Sequence, residues 1–258
     1  MWEKQLADAI KAGELAKRRI LEVYKTGFDV ETKIDNSPVT LADKDSDRII
    51  REYLSKKYPD YAFLTEESVD DKSRLNNDYV WIVDPLDGTL NFVNKNNEFT
   101  INIALAYKHE IVVGVVIAPV TNEIYYATRH GGAFYSIDGK VREIHVNNRK
   151  KDLRVLLSIS HHGDAEEKKI AEYGNLIISK TAKGAALKLC LIAKGEAELS
   201  IRLNDGTKEW DTAAPQIIVK EAGGYFLKPN GEWMLYNREN VVNVDGYYVA
   251  NRKRNIIF

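Results

Sequence analysis

The sequence predicts a mixed α/β (α+β) chain. Three observations carry that expectation. Two amphipathic, helix-like stretches open the chain, closely spaced β-rich runs fill its middle, and strands alternate with helices in its second half.

The first 26 residues carry Leu6, Ile10, Ala16, Ile20, Val23 and Tyr24 among charges, a spacing that predicts an amphipathic helix. Residues 27–40 form a polar connection with the turn residues Asp35, Asn36, Ser37 and Pro38. A second helix is predicted through LADKDSDRIIREYLSKKYP, stopping near Pro59. Short strands follow at Ala62–Leu64 and Tyr79–Asp84. The runs TINIALAY, IVVGVVIAPV, EIYYATR and GAFYSI then alternate with turn residues, which predicts an antiparallel meander. The polar stretch 146–152 divides a part of residues 1–150 from one of residues 151–258. In the second part the expected order is strand LRVLLSIS, a helix from about Asp164, strand ISKTA, helix GAALKLCLIAKG and strand AELSI. A helix on DTAAPQIIVKEAGG and strands GYFLKP and DGYYVA complete it.

The chain has 258 residues, 44% hydrophobic and 29% charged, enough apolar material for a sizeable core. A formal net charge of −1 demands neither nucleic acid nor an anionic membrane as partner. The single cysteine, Cys190, rules out an internal disulfide and fits a reducing compartment. The N-terminal stretch has no apolar signal core, and no run approaches ~18 apolar residues. A cytoplasmic protein is expected.

Four carboxylate groupings border apolar runs: Asp43 in SPVTLAD, Glu66-Glu67 in FLTEES, Asp84 with Asp87 in VDPLDGT, and Asp211 in EWDTAA. Buried unpaired carboxylates are costly and repel one another, and a hard divalent cation removes both penalties. In the Asp84–Thr89 loop, Pro85 sets a turn and Leu86 can direct its carbonyl inward. Gly88 and Thr89 can offer backbone N–H groups to a phosphate, and the Thr89 hydroxyl can hold a water. Each piece also has a purely structural reading. Asp-Pro-x-Asp-Gly is ordinary turn chemistry, and Thr40-x-x-Asp43 is a helix capping box. Glu66-Glu67 can be a solvated pair, and Asp211 can be a helix N-cap.

The motifs TEES (Thr65–Ser68), DPLDGTLNF (Asp84–Phe92) and WDTAA (Trp210–Ala214) occur in order. With them the chain resembles the Mg²⁺-dependent, lithium-sensitive sugar- and nucleotide-phosphatase superfamily. That superfamily includes inositol monophosphatases, fructose-1,6-bisphosphatases and 3'(2'),5'-bisphosphate nucleotidases. The resemblance covers nearly the whole chain. It implies a layered αβαβα sandwich, two or three Mg²⁺ ions, lithium inhibition, and in-line attack of metal-activated water on a phosphate monoester without a phosphoenzyme. Glu66, Asp84, the Leu86 carbonyl, Asp87 and Asp211 match the family's metal ligands. Thr89 matches the threonine that orients the water, and Asp43 the aspartate paired with it. Most ligands then lie in residues 1–150, with Asp211 and substrate contacts in residues 151–258.

Several stretches resemble the bacterial-type 3'(2'),5'-bisphosphate nucleotidases, which act on 3'-phosphoadenosine 5'-phosphate: KIDNSPVTLAD, NNEFTINIAL, SISH, GAALKLCLIAKGEAEL and GTKEWDTAAPQ. Inositol monophosphatases commonly place a glutamate seven residues before the aspartate of the Trp-Asp motif, where this chain has Asn204. Asn91 is a feature shared instead with inositol monophosphatases. The expected substrate is 3'-phosphoadenosine 5'-phosphate; inositol-1-phosphate or fructose-1,6-bisphosphate is the alternative, and a non-catalytic binding relative a third. Asp87, Gly88, Thr89, Gly184, Lys188 and Arg202 are the expected substrate contacts. The resemblance also brings a homodimer as an expectation, while no nucleic acid or membrane partner is expected. His161 and His162 follow a strand end, where family members place substrate-contacting residues. Cys190 and the tyrosines at 125, 126, 247 and 248 read as packing residues, and Arg149-Lys150-Lys151 as a solvated loop.

Overall fold

The computed structural model describes residues 1–33, 38–160 and 162–258. Helix α1 (Glu3–Thr26) buries Ala9, Ala12, Ala16, Ile20 and Val23 along one face. After α1, strands β1 (Val30–Thr32) and β2 (Pro38–Thr40) pair antiparallel. The connection read as plain polar loop therefore contains a small ladder. Of its expected turn residues, Pro38 starts β2, while Asp35, Asn36 and Ser37 lie outside the described residues. Helix α2 (Leu41–Lys57) begins at a capping box formed by Thr40 and Asp43.

The middle of the chain is a seven-stranded sheet in sequential order. Its strands are β3 (Ala62–Thr65), β4 (Tyr79–Asp87), β5 (Thr100–Tyr107), β6 (Glu110–Ala118), β7 (Glu123–Thr128), β8 (Ala133–Ile137) and β9 (Lys140–Ile144). Only β3 and β4 pair parallel; the rest form the expected meander. Strand β9, KVREI, was not expected. It is an exposed edge strand rich in charge, so it lacks the apolar alternation that betrays a buried strand. A short helix, α3 (Thr89–Val93), lies between β4 and β5 and was also not expected.

The second half forms a five-stranded sheet in the order β11-β10-β12-β14-β13. Its members are β10 (Leu153–Ser158), β11 (Ile177–Lys183), β12 (Leu199–Arg202), β13 (Tyr225–Leu227) and β14 (Tyr247–Ala250). Helices α4 (Asp164–Ala171), α5 (Leu187–Ala193) and α6 (Glu209–Glu221) alternate with these strands.

Three apolar clusters stack the elements. One joins α1 and α2 to the first sheet through Ile20, Ile50, Ile101, Ile103 and Val115. The second joins the other face of that sheet to α5, α6 and the second sheet through Ala104, Val116, Ile192, Ile217 and Val249. The third joins the far face of the second sheet to α4 through Val155, Leu199 and Ile170. The layers are therefore α, β, α, β, α, the expected sandwich. Strands β5 and β6 read as continuous apolar runs because helices cover both their faces. Helix α6 approaches β6 so closely that a Cβ on Gly114 would lie 2.6 Å from the Ala214 carbonyl oxygen. Among the described residues no helix is long and apolar enough to cross a membrane.

Candidate metal centre and substrate cavity

Asp84 and Asp87 are three residues apart on one strand, and in a regular strand such residues face opposite sides. A register shift solves this. Asp84 pairs with Asn102 and Asp87 with Thr100, so three steps on β4 oppose two on β5. The extra residue returns Asp87 to the face of Asp84. Strand β4 thus runs on to Asp87; the expected end at Asp84 marks only the start of this bulge. Within it, the Leu86 N–H donates to Asp84 Oδ1 at 3.1 Å, and Ser46 Oγ on α2 donates to the Pro85 carbonyl at 2.7 Å. Gly88 then takes φ +89, a left-handed form suited to glycine, and caps α3.

The third carboxylate comes from α6. Asp211 sits in its first turn and accepts the Lys208 N–H at 2.6 Å. It is not the N-cap itself; Lys208 holds that position. Pro215 cannot donate to the Asp211 carbonyl one turn back. One carboxylate oxygen from each of Asp84, Asp87 and Asp211 lies within 4.8 Å of the others.

Burial raises all three acids. Asp84 is raised well above the usual range by burial and by the charges of Glu66, Asp87 and Asp211. Asp87 is raised by burial, with Lys188 and Asn102 opposing. Asp211 is pushed up to about 7 by burial, then by Asp87 and Glu66. Such a set of hard oxygen donors suits a hard divalent cation.

A pH dependence follows. Asp211 ordinarily ionises near 3.8, so between there and about 7 the folded chain holds a proton that the unfolded chain has released. Stability of the metal-free protein should therefore fall as pH rises through that window. Mg²⁺, which needs the charged carboxylates, should raise the melting temperature more at pH 8 than at pH 5. Calorimetric scans with and without Mg²⁺ at both values check this. An equal gain at both would count against the cluster as the ion's site.

Glu66 lines the same cavity but stands outside the three-carboxylate cluster. The Lys33 ammonium lies 2.8 Å from Glu66 and 2.5 Å from Glu67, so the pair is not simply solvated. Lys33 was not singled out from the sequence; a lone lysine in a polar connection carries no local signal.

Asp43 caps α2 and also pairs with Thr89. Its Oδ2 accepts the Thr40 N–H at 2.8 Å and the Thr40 hydroxyl at 2.7 Å, which caps α2. Its Oδ1 lies 2.8 Å from Thr89 Oγ1. That hydroxyl is also 3.3 Å from the Leu86 carbonyl. Asp43 is 1% exposed, and burial raises it while Thr40 and Thr89 oppose the shift.

The cavity holds about 570 Å³, the size of a small-molecule site. Every expected metal ligand and substrate contact lines it: Glu66, Asp84, Leu86, Asp87, Gly88, Thr89, Gly184, Lys188, Arg202 and Asp211. Asp43 does not line it and reaches it through Thr89. Lys188 donates to the Ala185 carbonyl at 2.8 Å; burial lowers its pKa and the attraction of Asp87 opposes this.

Ser158, Ser160, Thr207, Lys208, Trp210 and Tyr247 also line the cavity and were not expected as site residues. The SISH stretch was a usable signal for the serines. Tyr247 packs against Phe226 at 4.9 Å between ring centres, as expected for a sheet tyrosine, and faces the cavity as well. His162 is engaged by Glu167 at 2.7 Å and is not in the cavity wall; His161 lies outside the described residues. Cys190 is fully buried, as expected.

The model of the inositol monophosphatase family matches residues 2–256. The 3'(2'),5'-bisphosphate nucleotidase CysQ of Escherichia coli (strain K12) is 38% identical over 229 residues, covering 87% of this chain and 91% of that protein. The Nus factor SuhB of Pasteurella multocida (strain Pm70) is 34% identical over 234 residues, covering 86% and 84%. The crystal structure of CysQ from Bacteroides thetaiotaomicron, a bacterial member of the inositol monophosphatase family, superposes with a TM-score of 0.84 at 31% identity. It covers 98% of this chain and 99% of its own.

Proposed function

The chain belongs to the inositol monophosphatase family, and from that premise we propose that it is a Mg²⁺-dependent phosphomonoesterase acting on 3'-phosphoadenosine 5'-phosphate. The products are AMP and inorganic phosphate. The observation that carries this reading is the meeting of Asp84, Asp87 and Asp211 beside the Asp43–Thr89 hydrogen bond, in a cavity that also holds Lys188 and Arg202.

Glu66, Asp84, the Leu86 carbonyl, Asp87 and Asp211 would hold two or three Mg²⁺ ions. When bound, Mg²⁺ supplies charge neutralisation at the phosphate and a lowered pKa for water. The protein's own part is orientation. Asp43 fixes the Thr89 hydroxyl, which aligns the attacking water with phosphorus. The Gly88 and Thr89 backbone amides hold phosphate oxygens. The water oxygen bonds to phosphorus as the ester P–O bond breaks, and of the water's two protons one goes to the departing ribose oxygen and the other stays with the released phosphate. Lys188 and Arg202 supply cations for a second phosphate, the feature that separates a bisphosphate from a simple monoester; the planar Arg202 guanidinium suits its oxygens. Gly184 lines the cavity beside them, on the turn that carries Lys188.

Asn204 bears on the polyol alternative. Its amide donates to Glu166 at 3.0 Å and its carbonyl oxygen accepts the Gly206 N–H at 3.0 Å. It is tied into the loop and offers no carboxylate to an inositol hydroxyl.

The test is phosphate release from 3'-phosphoadenosine 5'-phosphate, inositol-1-phosphate and fructose-1,6-bisphosphate, side by side with Mg²⁺ or EDTA. The nucleotide should give the highest kcat/KM, and EDTA should abolish release. Better turnover of a sugar phosphate would overturn the substrate assignment. Undiminished release in EDTA would overturn the metal assignment.

A further inference from the structure

We propose that Glu98 is a positioning residue that fixes the substrate-side turn, residues 183–188, against the metal-side loop, residues 84–89. The proposal rests on the reading that this cavity binds a phosphorylated substrate.

Glu98 lies between α3 and β5 and does not line the cavity. Its side chain reaches across to the other half of the chain. Oε1 accepts from Lys183 Nζ at 2.7 Å and Oε2 from the Gly184 N–H at 2.6 Å. Its own backbone carbonyl accepts from Asn91 Nδ2 at 2.8 Å. The contact leaves no spare room. A Cβ on Gly184 would lie 2.4 Å from Asn91 Nδ2 and 2.6 Å from the Glu98 carbonyl oxygen.

The turn held in this way is strained. Ala185 takes φ +50, a left-handed form that alanine adopts only where its surroundings impose it. Its carbonyl accepts the Lys188 ammonium at 2.8 Å. The next backbone amide, Ala186, hydrogen-bonds Asp87, and the Lys188 ammonium attracts it. One carboxylate therefore holds the turn whose amide and ammonium meet the metal-side acid.

The parts of the clasp differ in weight. The Lys183–Glu98 pair is partly exposed, and such pairs contribute little. The bond to the Gly184 N–H is short and charge-assisted, and it fixes the backbone directly. Without it, Ala185 can relax toward an ordinary conformation and draw Lys188 and the Ala186 amide away from Asp87. The Asp43–Thr89 pair stands on other elements and keeps its geometry. Substrate affinity should suffer and the chemical step should not.

In the full chain with Mg²⁺, Glu98→Ala should raise KM for 3'-phosphoadenosine 5'-phosphate about tenfold, the worth of one charge-assisted bond, with kcat within about twofold. The dissociation constant of AMP, read by calorimetry, should rise in parallel. Glu98→Gln keeps the volume and an acceptor for Gly184, and should recover most of the loss. Lys183→Ala should leave both constants near wild type. An unchanged KM and AMP affinity in a folded Glu98→Ala protein would overturn the proposal. So would a Glu98→Gln protein as impaired as Glu98→Ala. A wild-type chain inactive on every substrate would refute the functional reading, and this proposal with it; an active wild type with an unaltered variant would sink this proposal alone.

Discussion

Replacing Asp84 with asparagine should lower Mg²⁺-dependent phosphate release by roughly a thousandfold, the kinetic equivalent of several kcal/mol of lost metal-derived stabilisation. The same change should raise the melting temperature of the metal-free protein. Asp84 is 1% exposed and lies beside Asp87 and Asp211, with burial and their charges both opposing its ionisation. Removing the charge relieves that repulsion and removes the proposed ligand at once. Opposite movements of activity and stability separate a metal ligand from a structural carboxylate, whose loss lowers both. Phosphate release and a calorimetric scan on the same preparation check the two halves. Phosphate release left unchanged in the variant would overturn the metal-site argument.

Thr89→Ala should reduce kcat about a hundredfold and leave KM nearly unchanged. The Thr89 hydroxyl lies 2.8 Å from Asp43 Oδ1 and 3.3 Å from the Leu86 carbonyl and lines the cavity, so the shorter bond directs its proton to Asp43 and leaves its oxygen free to accept from a water. Alanine removes that orientation without altering the backbone amides proposed to hold phosphate. Thr89→Ser keeps the hydroxyl and should retain most activity. Steady-state kinetics on the three proteins decide the matter. A Thr89→Ala protein with wild-type kcat would mean that the water is oriented by another group.

These expectations began with motifs visible in the sequence, and particular residues show how far that reading reached. Asp43, Asp84, Thr89 and Asp211 each stand in short stretches whose local chemistry differs from their surroundings. The αβαβα layering was implied by the family resemblance; the residue patterns gave the element types, with a helical period in α1 and α2 and apolar runs in β5 and β6. Strand β9 escaped because charge replaced alternation, and α3 because five residues are too few to show a helical period. Lys33, Glu98 and Tyr247 escaped for another reason. Each has its role only through a partner or cavity remote in sequence, and no local pattern marks it.

The sequence by itself determined most of the elements and the carboxylate set, because propensity and capping act over a few neighbouring residues; the turn expected at Pro85 is instead a bulge within β4. Tertiary structure alone decided which way those groups face. The β4 bulge places Asp84 and Asp87 on one side, and the packing of α6 on the first sheet brings Asp211 to them. The Glu98 clasp joins the two halves at the cavity. Burial against distant elements also turned ordinary aspartates into acids with raised pKa values. Desolvation and repulsion between charges depend on the whole fold's packing, and that information exists only once the layers have met.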